Sequence, residues 1–168
     1  MKKIIFLLPL AAMTCLQLVA TELPEHLNRV AEPSATMQKM WVDYDVEENG
    51  VYGMRIHVAF TTYEMKGMEA RLTIYFQHDS GKPGDYLPDR NQKYRTTNDI
   101  VCVGQGFTPT YANSVYDDMQ FFMPYEELDL DPGKYDLLMD PQLYFPNSGR
   151  TIAWFPFYAF EYTQYDNS

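Results

Sequence analysis

A chain of 168 residues has room for one domain and one hydrophobic core, and two domains are not expected. With 46% hydrophobic, 15% aromatic and 21% charged residues there is ample apolar surface to offset chain entropy, which excludes disorder over most of the length. The formal net charge of −10 makes DNA and RNA, polyanions themselves, poor partners.

The chain opens with Lys2 and Lys3 and then runs uncharged from Ile4 to Leu16, the layout of a secretory signal. The apolar run is shorter than the roughly 20 residues of a membrane span, and polar residues follow it at once, so no span is predicted. Removal after Ala20 makes 1–20 a signal peptide, although Leu18 is larger than the small residue preferred at that place. The alternative is lipid attachment at Cys15, behind an imperfect lipobox, Ala11-Ala12-Met13-Thr14, which would anchor the chain to the cell envelope. With Cys15 removed only Cys102 is left, so no internal disulfide can form. Cys102 lies in the apolar run Ile100-Val101-Cys102-Val103 and reads as a small buried hydrophobe.

Residues 21–37 hold Pro24, Pro33 and small polar residues without periodicity, and are predicted to be a flexible tether. From residue 38 to 164 the dominant period is two. In Trp41 to Val46, Val42, Tyr44 and Val46 alternate with Asp43 and Asp45; in Tyr52 to Phe60 the even positions are Tyr, Met, Ile, Val and Phe. Leu72, Ile74 and Phe76 point inward from Arg71, Thr73 and Gln77. Further strands are predicted near 99–104, 118–124, 134–140 and 151–163, and residues 165–168 form a tail. Turn chemistry separates them: Glu47-Glu48-Asn49-Gly50, Lys66-Gly67, Gly81-Lys82-Pro83-Gly84, Asp131-Pro132-Gly133 and Pro146-Asn147-Ser148-Gly149. About seven short antiparallel strands with no helix to cover a sheet predict an all-β, immunoglobulin-like sandwich. Tyr135 follows the Asp131-Pro132-Gly133 turn by two residues, the position of a tyrosine corner, whose largely buried hydroxyl would bond to backbone a few residues upstream.

The segments Met40-Trp41-Val42, Gly53 to Phe60, Tyr94-x-Thr96-Thr97-Asn98, Phe107-x-Pro109-x-Tyr111 and Phe121-Phe122-Met123-Pro124-Tyr125-Glu126-Glu127-Leu128 resemble a β-sandwich module of secreted and envelope proteins from gut-type Gram-negative bacteria. That module occurs alone or appended to secreted peptidases. The resemblance implies the fold and the compartment, secreted or periplasmic, and brings no activity or functional residues with it.

Catalysis finds little support. His26, His57 and His78 lie in no metal-ligand spacing and read as solvated or incidental. Ser80, Ser114 and Ser148 lack a nucleophile elbow. The acidic pairs Asp43/Asp45, Glu47/Glu48, Asp117/Asp118 and Asp129/Asp131 could serve a glycosidase or a calcium site, but no calcium loop accompanies them, so neither metal nor cofactor is expected. Aromatic residues carry the binding reading. Trp154 to Tyr162 is apolar on both faces, which fits a surface made for association. Trp41, Tyr75, Trp154 and Tyr158 form the candidate binding surface, and the first three are candidate platforms for stacking on sugar rings. The sequence thus predicts an exported, non-catalytic interaction module with a protein or glycan partner in or beyond the envelope; the alternatives are a glycan-binding module and a small secreted hydrolase.

Overall fold

The computed structural model describes residues 31–166; the predicted export signal, Cys15 and the predicted tether up to residue 30 lie outside the described residues. Eight strands follow in order: β1 (Ser34–Glu48), β2 (Val51–Tyr63), β3 (Ala70–His78), β4 (Cys102–Phe107), β5 (Ser114–Pro124), β6 (Gly133–Tyr144), β7 (Thr151–Trp154) and β8 (Tyr158–Gln164), with one 3-10 turn at Tyr125–Leu128. They make two antiparallel sheets, β1-β2-β5 and β4-β3-β6 with β7 and β8 both on the free side of β6. The first, second and fifth strands thus face a sheet built on the third, sixth and last, the pattern of an immunoglobulin-like sandwich with its fourth strand joined to the third. Among the described residues no helix is long and apolar enough to cross a membrane.

The sandwich closes because the period-two rows meet. Met54, Ile56, Val58 and Phe60 of β2 and Met119, Phe121 and Met123 of β5 pack in one cluster with Leu72, Ile74 and Phe76 of β3 and Leu137, Met139 and Leu143 of β6. Asn49 and Gly50, both at positive φ, turn β1 into β2 with Glu48 opposite Val51, the two-residue hairpin that Asn-Gly favours. At Gly53 a Cβ would lie 2.4 Å from the Met123 carbonyl oxygen, so only glycine lets β2 and β5 approach there.

Four expectations need correction. β1 begins at Ser34, four residues inside the segment read as tether, because β2 is long enough to pair with it: Ser34 stands opposite Tyr63, and Ala35 and Met37 pack on the core. A bulge between Asp43 and Val46, with Asp45 at φ 57, turns Tyr44 out of the inward row, and Tyr44 is exposed. The Tyr125 hydroxyl holds this bulge, accepting the Asp45 N–H at 2.9 Å and donating to its carboxylate at 3.2 Å. Tyr52, expected inside, is 59% exposed. The last predicted strand is two strands, separated by Phe155-Pro156-Phe157.

The tyrosine corner forms: the Tyr135 hydroxyl donates to the Asp131 carbonyl at 2.8 Å, and the ring lies against Gly133. The bond is exposed, whereas the sequence suggested a buried one. Water can therefore replace the lost partner, and Tyr135→Phe is expected to cost about 0.5–1.5 kcal/mol, the range of an ordinary net hydrogen bond. Urea denaturation with Tyr165→Phe as reference measures it, and equal midpoints for the two variants would contradict a structural role for the corner.

Candidate functional site

Alternation in β3 and β6 sends one row of side chains to the core and the other, including Tyr75, Gln77, Asp140, Gln142 and Tyr144, to the outer face of the five-stranded sheet. In a bare sandwich that face meets water. Here the long β3–β4 connection, residues 79–101, folds back beside and over the end of β3. The His78 N–H donates to Asp85, Leu87 to Phe76, and Val101 to Leu87, all at 2.8–2.9 Å. Thr73, Gln77 and Asp140 consequently are only 2–4% exposed, although the sequence placed Thr73 and Gln77 outward.

A buried carboxylate needs donors. Asp140 Oδ2 accepts from the Tyr86 hydroxyl at 2.9 Å and from Gln142 Nε2 at 2.7 Å. Burial, reinforced by the Asp140 contact and opposed by Gln142, raises the Tyr86 phenol above its ordinary pKa, which keeps it a donor. Gln77 Oε1 is buried and has no hydrogen-bond partner among the described residues. These groups line a hollow of about 530 Å³, within the range of small-ligand sites, with His78 and Lys82 also in its lining.

The hollow's aromatic wall combines strand pairing, which sets Trp154 opposite Gln142 on the outer face, with a break at one proline. Pro141 lies within central β6, and its carbonyl accepts the Phe155 N–H at 3.0 Å. In an antiparallel pair the two residues would exchange both bonds, but proline has no N–H to return. The edge strand breaks opposite it, at Phe155-Pro156-Phe157. Phe155 turns into the core, while Trp154 and Phe157, 70% and 59% exposed, stand along the hollow.

A second hollow of about 490 Å³ shares Gln142 with the first and continues along the same face past Tyr75 and Tyr144 to Arg71 and Arg95. Burial, followed by the neighbouring Tyr144, pushes the Tyr75 phenol well above its ordinary value. Burial likewise pushes the Cys102 thiol up to about 11, which keeps it a thiol and fits its reading as a small buried hydrophobe.

The candidate surface does not assemble as one patch. Tyr75 and Trp154 share the outer face just described. Tyr158 is half-buried, packs against the core and lies near Tyr44 of β1. Trp41 lies on the opposite sheet, stacked on His57 at 4.7 Å between ring centroids, with Lys39 Nζ 4.0 Å from its own ring. His57 is not the solvated histidine read from the sequence: it is 6% exposed, with Nδ1 2.7 Å from Asp118 and Nε2 3.2 Å from Asp43. An imidazolium satisfies both carboxylates, a neutral ring only one.

Sequence reasoning missed Tyr86, Gln77, Asp140, Gln142 and Phe157. Pro141 and Pro156 were the available signals, since proline inside a strand pattern marks an interruption. Nothing local marks Tyr86, which is placed by pairing across 54 residues. Compared with protein-family models, curated proteins and solved structures, the chain finds no match.

At Asp118 burial opposes ionisation, but hydrogen bonds from Gln120 and His57, with the charges of His57 and Lys39, outweigh it and hold the carboxyl below its ordinary range. The unfolded chain therefore takes up this proton at a higher pH than the folded one, and stability is lost as pH falls through the carboxylate range. Asp118→Asn is expected to flatten the fall in urea midpoint between pH 5 and pH 3. An unchanged slope would show that Asp118 does not contribute to it.

Proposed function

We propose that this chain is an exported, non-catalytic binding module that takes its ligand in the outer-face groove of the five-stranded sheet. The observation that carries the reading is the groove itself: two exposed aromatic rings, Trp154 and Phe157, stand in the lining that also holds the buried, partnerless Gln77 carbonyl. An exposed apolar wall and an acceptor without a donor both cost free energy in the unliganded protein, and a ligand relieves both. The N-terminal charge and hydropathy pattern supports export, and the resemblance to envelope modules supports the same compartment.

The chemistry of the groove supports binding over turnover. Asp140 is occupied by two donors, burial keeps the Tyr86 phenol protonated, and burial keeps Cys102, in the lining of the adjoining hollow, a thiol. Activated nucleophiles need the opposite, a lowered pKa or an adjacent base.

The test immobilises the mature chain and measures retention of envelope components against the Trp154→Ala/Phe157→Ala double variant, with Trp41→Phe as a control on the opposite sheet. The expected result is a component retained by the parent and by Trp41→Phe and weakened at least about tenfold, ~1.4 kcal/mol, by the double variant. Retention that ignores the double variant would move the site elsewhere, and turnover of ester, peptide or glycoside substrates lost in Asp140→Asn would replace binding with catalysis.

A further inference from the structure

We infer that the ligand of the groove is a neutral oligosaccharide lying along β6 across both hollows. The inference rests on the reading of this groove as the binding site and adds the chemical class of what it takes. Three observations carry it: the kind of polar group, the disposition of charge and the length of the groove.

The polar groups are mostly amides and hydroxyls. Gln77 and Gln142 line the first hollow with the Tyr86 phenol, and Thr73, Tyr75 and Tyr144 line the second. Amides and hydroxyls both donate and accept, which matches a sugar hydroxyl, itself donor and acceptor. Gln77 Oε1 needs a donor and is fixed in place by burial. A site built to bond a ligand hydroxyl discriminates strongly against ligands without one. Trp154 and Phe157 supply flat faces whose negative quadrupole attracts the weakly positive C–H face of a sugar ring.

Charge argues against the obvious competitors. Aromatic rings beside a carboxylate also suit an ammonium or guanidinium group. Yet Lys82 lies in the first hollow and Arg71 in the second, beside an Arg95 already paired with Asp89 and Asp99, so an extended cationic peptide would meet a cation in each hollow. Asp140 and Asp79 in the first hollow oppose a polyanion in the same way. A peptide adding itself as a strand needs a free sheet edge, whereas the groove floor is β3 and β6, each paired on both sides. Length fits a chain of sugars: the outward positions from Leu138 to Tyr144 span about 20 Å at about 3.3 Å per residue.

Isothermal titration of the mature chain with neutral β-1,4- and α-1,4-linked glucan and β-1,4-mannan oligomers of two to six units tests this, with polygalacturonate and a lysine-rich peptide as charged probes. One neutral series is expected to bind, gaining at least about fivefold from dimer to tetramer as the second hollow fills. Trp154→Ala should weaken every length at least about tenfold, and Gln77→Met should do the same while keeping the fold. Tyr144→Phe should weaken the tetramer and leave the dimer unchanged. Binding confined to polygalacturonate or to the peptide, or no binding to any neutral series, overturns the oligosaccharide assignment. In those cases a partner captured from the envelope and lost in the Trp154→Ala/Phe157→Ala variant leaves the groove itself standing, whereas a partner indifferent to that variant removes both.

Discussion

The hydrogen bond from the Tyr86 hydroxyl to the Asp140 carboxylate is the contact on which the outer face of the five-stranded sheet depends. Asp140 sits on the side of β6 that alternation turns away from the core, yet it is buried, because the β3–β4 connection covers it. A carboxylate in that position is tolerable only with donors, and the cover supplies one of them. A second buried carboxylate does the same at the middle of the connection. Glu127, on the 3-10 turn, accepts from Asn91 at 2.7 Å and from Lys93 at 3.2 Å. Ion pairs at the surface, such as Arg90 with Asp131, add little by comparison. The connection is thus held at two points, and its stretches before and after them, residues 79–86 and 95–100, wall the groove.

The other wall arises in part from a defect in the edge. Pro141 cannot return the hydrogen bond it accepts from Phe155, and the edge strand is interrupted there, between Trp154 and Tyr158, leaving Phe157 exposed. The break accounts for the exposed Phe157, whereas Trp154 faces outward by ordinary alternation, opposite Gln142. The opposite sheet shows the contrary use of an aromatic ring: Trp41 stacks on the buried His57, so a tryptophan that looks like a platform in sequence is a cover in the fold.

The fold was largely legible because period-two alternation is local. Met54, Ile56, Val58 and Phe60, and Leu72, Ile74 and Phe76, announce their faces without reference to the rest of the chain, and Asn49-Gly50 and Tyr135 announce a hairpin and a corner. The site was legible only in part. Tyr75 and Trp154 could be singled out as aromatic residues at outward positions, but Tyr44 escaped its predicted face through a bulge stabilised by Tyr125, 80 residues away. Asp140 reads as an ordinary outward carboxylate, and only the course of residues 79–101 reveals it as the buried floor of a groove. That course is fixed by contacts 34 to 54 residues apart, with Glu127 and Asp140, and no periodicity records them.

The construction of the groove is tested most directly by a double-mutant cycle on Tyr86→Phe and Asp140→Ala, measured by urea denaturation. If the Tyr86–Asp140 bond secures the connection over the sheet, the two variants should couple by about 1–3 kcal/mol, as expected for a partly buried, charge-assisted contact. Additivity within about 0.5 kcal/mol would mean that the connection is held without this bond, and would contradict the account.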